Sequence, residues 1–220
     1  MPCLQDHPIS TIGLSGQPGL PCSLLSCVKR NRRQYDPGRL EPLAALAKDF
    51  ALHMMRTTGS IPPAVIADTE DGYLFCGPTA LTDDAAKDRF AEVARLFAVA
   101  HVANALVMVV EAWARLPDAS GHLDTETPPS ESPDRKEVVV LMLEDHSRNA
   151  TGRLPILRGN GGAFIAFGDS GPIHFGESVG HFAGLMPRNK PSVREAAQAK
   201  ATLQSPGMSI VNRGFDPAMN

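Results

Sequence analysis

The sequence predicts an α+β fold, a mostly antiparallel sheet of about five to six strands with two main helices packed on it, because helical and strand periods sit side by side in one chain. A few stretches carry that expectation. Ala105 to Val110 and Val138 to Leu143 are continuous apolar runs rich in β-branched residues, which suits central strands covered on both faces. Leu40, Leu43, Ala44, Ala47, Phe50, Ala51 and Met54 instead recur at the spacing of one helix face. Ala64 to Thr69 and Tyr73 to Cys76 flank Glu70-Asp71-Gly72, where Asp-Gly supplies the positive backbone angles of a tight hairpin turn.

Residues 1–35 read as a disordered leader, with Pro2, Pro8, Pro18 and Pro21 and no helical or strand period. Part of that leader is compatible with lying ahead of the true translation start. It ends in Lys29, Arg30, Arg32 and Arg33, a cluster that gives weak support to nucleic-acid contact and whose ordinary role is solvation. The net charge of −3 gives no wider electrostatic case for binding nucleic acid or an anionic membrane.

Residues 36–168 are expected to form a single α+β domain. Pro42 is tolerable only in the first turn of its helix, and Gly59 followed by Pro62 and Pro63 ends it. A second helix opens at Thr82, Asp83 and Asp84, whose charges suit the positive end of a helix dipole, buries Ala86, Phe90, Val93, Phe97 and Ala100, and runs to about Asn104. The first central strand follows it. Residues 117–134, with Pro117, Pro128, Pro129 and Pro133 among Asp, Glu, Ser and Thr, read as a flexible acidic loop before the second central strand. Asp145 to Gly152 reads as polar turn material, and Leu154 to Leu157 and Ala163 to Phe167 as short strands of a meander. Residues 169–220 read as a glycine-rich tail, with one exposed or weakly docked helix over Ser192 to Gln204.

Cys3, Cys22, Cys27 and Cys76 are too scattered for a disulfide framework, which points to a reducing cytoplasm. No apolar run approaches the roughly 18 residues of a membrane span, so no membrane association is expected. Neither a metal nor another cofactor is expected, because the candidate ligand sets are incomplete. Cys22 and Cys27 lack a matching downstream pair, and His146-Ser147 stands without the paired histidines of a JAB-type zinc hydrolase. Glycines interrupt the stretch holding His174, Glu177 and His181, so those side chains do not share a helix face. Gly168-Asp169-Ser170-Gly171-Pro172 is similar to a serine-protease nucleophile loop but lacks one of its glycines and its partners. Gly159-Asn160-Gly161-Gly162 lacks the lysine and helix of a phosphate loop and reads as a hairpin connection.

The remaining polar set lies at the ends of the central strands. Glu111 and Trp113 share a face of the first, since side chains repeat every second residue, and Arg135 and Glu137 open the second. These residues are expected to meet at the base of the acidic loop. Their structural role would pair Glu111 with Arg135 or Arg115, and their binding role would have Trp113 stack on a ligand that the charges orient. Pro133-Asp134 ahead of an apolar strand resembles the metal-binding core of restriction-type nucleases, which makes Glu111, Asp134 and Glu137 the catalytic candidates of an alternative, metal-assisted hydrolase or nuclease. The order of IPPAVIADTEDGYLF, DDAAKDRFAEVARL, VVEAW and PDRKEVVVL resembles a family of uncharacterised small bacterial α+β proteins often carried on plasmids or integrated elements. That resemblance spans about Leu40 to Phe167, implies a role in mobile-element biology and carries over no catalytic residue. A non-enzymatic interaction module with a protein partner is the leading expectation.

Overall fold

The computed structural model describes residues 39–78, 81–115, 131–177 and 180–204. The leader, most of the acidic loop and the last residues of the chain lie outside these. The chain divides into two units, Met1–Tyr35 and Asp36–Asn220, and the fold below belongs to the second.

The described residues form helices α1 (Leu40–Thr58), α2 (Asp84–Ala100) and α3 (Val193–Leu203), and strands β1 (Ala64–Thr69), β2 (Gly72–Cys76), β3 (Ala105–Ala114), β4 (Lys136–Asp145), β5 (Asn149–Arg158), β6 (Phe164–Phe167) and β7 (His174–Phe175). The strands make one seven-stranded sheet in the order β2-β1-β3-β4-β5-β6, with β7 also paired to β5. Every pairing is antiparallel, as the α+β expectation requires.

Strand β3 sets the layering. Ala105 to Val109 are fully buried, so both faces of the strand must be covered. Ala105, Val107 and Val109 pack beneath α1 with Leu43, Ala47 and Phe50, while Leu106 and Met108 pack with Phe90, Ala94 and Phe97 on the α2 side. Helix α1 stops at Gly59, whose φ of 75° lets its N–H donate to the Met55 carbonyl. Helix α2 starts where the Asp83 carboxylate accepts the Ala86 N–H at 2.7 Å. Cys76 closes β2 inside this second core, where burial pushes its thiol up to about 11.

Several details depart from the expectations above. The face that α2 buries is Phe90, Ala91, Ala94, Phe97 and Ala98, rotated from the expected stripe toward the small residues that let the helix approach the sheet. The helix ends at Ala100 rather than Asn104. Val102 has a φ of 49°, its N–H donates to the Val99 carbonyl and the Ala103 N–H donates to the Ala98 carbonyl. This is a Schellman stop built on valine, where glycine would normally signal it. In the β1–β2 hairpin the paired residues are Thr69 and Gly72, so Glu70 and Asp71 form the loop, and Gly72 alone has positive φ there, at 107°. The Thr69 hydroxyl donates to the Gly72 carbonyl at 2.7 Å and accepts the Asp71 N–H at 3.2 Å.

The larger corrections lie in the second half. Strand β5 begins at Asn149, so only His146 to Arg148 turn the chain, with the Asp145 carboxylate accepting the Ser147 and Arg148 N–H groups. Gly152 and Pro155 hide this strand in the sequence, yet both pair with β4, opposite Leu141 and Val138. The stretch beyond Gly168 is not a loose tail in its described part. Phe182, Leu185, Met186 and Leu203 are buried in the α2-side core, and α3 packs on α2. Glu144, 2 % exposed, accepts the Gly184 N–H at 2.8 Å and the Met186 N–H at 2.9 Å, which fastens that segment to β4. A buried carboxylate is admissible there because backbone donors replace its water. Helix α3 carries a capping box, with Ser192 and Glu195 each satisfying the other's backbone N–H.

Two outcomes follow from this packing. Leu185→Ala lowers unfolding free energy in urea by about 2–5 kcal/mol, the cost of a buried leucine, whereas a loose tail would leave it unchanged. Val102→Gly raises it by about 1 kcal/mol, because glycine adopts the left-handed angle without the clash that valine endures.

Candidate functional site

The sheet ends where its apolar run ends. Beyond Val110, the α1-side positions of β3 are Glu111 and Trp113, and the register sets Glu111 opposite Val139 and Trp113 opposite Glu137. Glu111 and Glu137 are therefore diagonal neighbours on one face, about 7–8 Å apart along the backbone, within reach of a single bridging cation. That cation is Arg158, which stands on the same face at the end of β5, beyond buried Leu154 and Ile156.

Arg158 joins several elements at once. Its Nε donates to Glu137 Oε2 at 2.6 Å and its Nη2 to Glu137 Oε1, a two-pronged pair, while Nη2 also reaches Glu111 Oε1 at 3.4 Å. Its Nη1 donates to the carbonyls of Gly59, at 3.3 Å, and Gly162, at 3.2 Å. The end of α1, three strands and the β5–β6 loop thus converge on one guanidinium. Glu111 adds a further tie, since its Oε2 accepts the Ile61 N–H at 3.0 Å and holds the chain between α1 and β1.

The two carboxyls respond in opposite senses. Burial, then the neighbouring Glu137, raises the Glu111 pKa, and the Ile61 amide and Arg158 offset only part of that. The hydrogen bond from Arg158 lowers the Glu137 pKa despite its own partial burial, and the same bond raises that of Arg158. Arg158 occupies both oxygens of Glu137 and reaches Glu111 as well, which closes the cluster.

Trp113 lies outside that closure. Its side chain is 44 % exposed, and the Arg135 guanidinium sits 4.4 Å from the ring centroid, in cation–π contact. Glu111, Trp113, Arg135 and Glu137 are therefore gathered at one end of the sheet as expected, but Arg135 stacks on Trp113 and it is Arg158 that bridges the carboxylates. Asp134 is not part of the cluster. It is exposed, its N–H donates to Ser132 Oγ at 3.3 Å, and its carboxylate makes no hydrogen bond or ion pair among the described residues. Arg158 could have been read from the sequence only by extending β5 through Gly152 and Pro155, which places it on the buried face two positions after Ile156.

The other motifs separate in space. Ser170 Oγ accepts from Lys48 Nζ at 3.3 Å, and Asp169 Oδ1 accepts the Gly171 N–H at 3.0 Å, so that loop is an Asx turn. His146 Nδ1 lies 2.7 Å from the Pro187 carbonyl oxygen. His181 Nδ1 lies 2.7 Å from Asp88 Oδ1 on α2, whereas His174 belongs to β7. Among the described residues no group of three or more His, Cys, Asp or Glu side chains could hold a metal ion, and no helix is long and apolar enough to cross a membrane. Comparison with protein-family models, curated proteins and solved structures finds no match.

Replacing the bridging cation gives a pH-dependent outcome. Arg158→Met leaves two carboxylates facing each other and lowers stability at pH 7 by about 1–3 kcal/mol. In the wild type, Glu137, with its lowered pKa, contributes stability above the usual carboxylate range that is lost as pH falls through its folded pKa. Glu111, with its raised pKa, costs stability at neutral pH and regains it as pH falls. The deficit of the variant therefore shrinks as pH falls from 7 through the carboxylate range and the carboxyls protonate, and urea titrations at neutral and at acid pH measure it.

Proposed function

We propose that this chain is a non-enzymatic binding module that receives a protein partner at the open end of its sheet, with Trp113 and Arg135 as the contact residues. The observation that carries this reading is the half-open Trp113 ring under the Arg135 guanidinium, mounted on strands that Arg158 locks together. Tryptophan and arginine are the side chains that most often dominate binding energy, since each combines a large apolar face with directional polar contact. A rigid base removes part of the ordering cost that a flexible contact would pay on association. The resemblance to proteins of plasmids and integrated elements adds a setting, the biology of a mobile element, in which a small module of this kind would act on another protein.

The metal-assisted hydrolase or nuclease using Glu111, Asp134 and Glu137 draws less support. Two of its carboxylates are engaged by Arg158 and the third stands outside the cluster. A divalent ion there would first have to displace the guanidinium from Glu137, at the cost of a charge-assisted, two-pronged hydrogen-bonded pair.

Co-purification from the native host tests the binding reading. A partner retained by the wild type is lost from Trp113→Ala and reduced by Arg135→Ala, while the circular dichroism of both variants stays that of the wild type. Equal recovery of the partner by both variants would move the contact surface elsewhere. For the alternative, calorimetric manganese binding by the wild type that disappears in Glu111→Ala would restore the hydrolase.

A further inference from the structure

A second surface extends across β4 and β5, starting at the strand end that also carries Trp113. Alternation along β4 and β5 puts Lys136 and Val138 on one strand, and Arg153, Pro155 and Leu157 on the other, on the face away from Glu137 and Arg158. They border a solvent-open groove of ≈ 550 Å³, which Glu137 and Ile156 from the other face also line. The connection from β6 to β7 forms its wall, held by the Gly168 N–H donating to the Pro155 carbonyl at 2.8 Å and by the Asp169–Gly171 turn. That volume is within the range of small-molecule sites, roughly 300–1,000 Å³.

The chemistry of the lining is uneven. Val138, Pro155 and Leu157 make an apolar floor, and Leu157 is half exposed. Lys136, Arg153 and His174 also line the groove, and none of their side chains has a hydrogen bond or ion pair among the described residues. The acids of the lining are engaged already, Glu137 by Arg158 and Asp169 by the Gly171 amide. Lys136 and Arg153 thus stand without an ion-pair partner among the described residues beside an apolar surface, with the Asp169 carboxylate on the same lining. His174 pairs with Thr151, so it is the diagonal neighbour of Arg153, about 7–8 Å away along the backbone. Lys136 stands at the far end, two residues before Val138, which pairs with Pro155.

We propose that this groove binds a small amphipathic organic anion, a carboxylate or a phosphate monoester on an apolar body. Its headgroup sits between Arg153 and His174, and its body lies along Val138, Pro155 and Leu157 toward Lys136. Arginine suits this role because its fork offers paired donors to a planar or tetrahedral anion. An uncharged molecule of the same shape gains only the floor.

Amide shifts in nuclear magnetic resonance spectra of the full chain test the proposal with 4-phenylbutyrate, phenyl phosphate and the neutral 4-phenylbutan-1-ol as probes. At least one of the two anions produces saturable shifts at Val138, Arg153, Leu157 and Gly171, with the alcohol roughly tenfold weaker or worse. Which anion binds more tightly distinguishes a carboxylate ligand from a phosphate one. Arg153→Met, a change at an exposed position, weakens the anion by roughly tenfold and leaves the alcohol unchanged, with spectra elsewhere identical to wild type. No saturable shift by either anion up to about 10 mM, equal binding of the alcohol, or an unaltered response in Arg153→Met would each overturn it.

Discussion

A strand with no polar face has to be covered twice, and that constraint on β3 organises the rest of the molecule. Ala105 to Val109 cannot meet water on either side, so one helix is not enough. Helix α1 closes one face with a continuous apolar stripe. The other face needs α2 together with the segment around Phe182 to Met186, and that segment needs an attachment. Glu144 provides it by replacing water on two backbone amides, an arrangement in which a charged side chain serves the sheet better than an apolar one could.

The same constraint explains where polarity is allowed. Once β3 and β4 run past the end of α1, their inward positions are no longer covered by helix, and Glu111 and Glu137 occupy them. Two carboxylates on one face repel unless a cation stands between them, and Arg158 does so while also satisfying carbonyls of α1 and the β5–β6 loop. The cluster is a structural closure first. Its value for recognition is indirect, since it holds steady the strands that present Trp113. On the reverse face, Lys136 of β4 and Arg153 of β5 have no side-chain ion pair among the described residues, and they line the proposed groove together with His174 of β7.

How much of this was legible depended on whether a residue's conformation matched its usual chemistry. The unbroken apolar runs of β3 and β4, the spacing of α1 and the gathering of Glu111, Trp113, Arg135 and Glu137 all follow from side-chain period alone. Strand β5 was obscured because Gly152 and Pro155 normally weaken strands, and Arg158 was lost with it. The end of α2 was misplaced because Val102 takes a left-handed angle that valine rarely adopts. The segment after Gly168 looked loose because its glycines conceal a sparse set of anchors, Phe182, Leu185 and Met186, whose partners are distant in sequence. Local pattern reports a helix or a strand face, whereas a single buried residue in a loop becomes visible only with its tertiary neighbours.

Cys76 shows a last consequence of the double covering. With its thiol sealed at the end of β2 and its ionisation pushed to about 11, it offers almost no thiolate to an electrophile near neutral pH. Alkylation of this sulfur therefore requires the second core to open, and the rate at which it is labelled is a clock for that opening. The folded body keeps a record of its own breathing in one atom, read by a thiol reagent once the label on Cys76 is resolved from those on Cys3, Cys22 and Cys27.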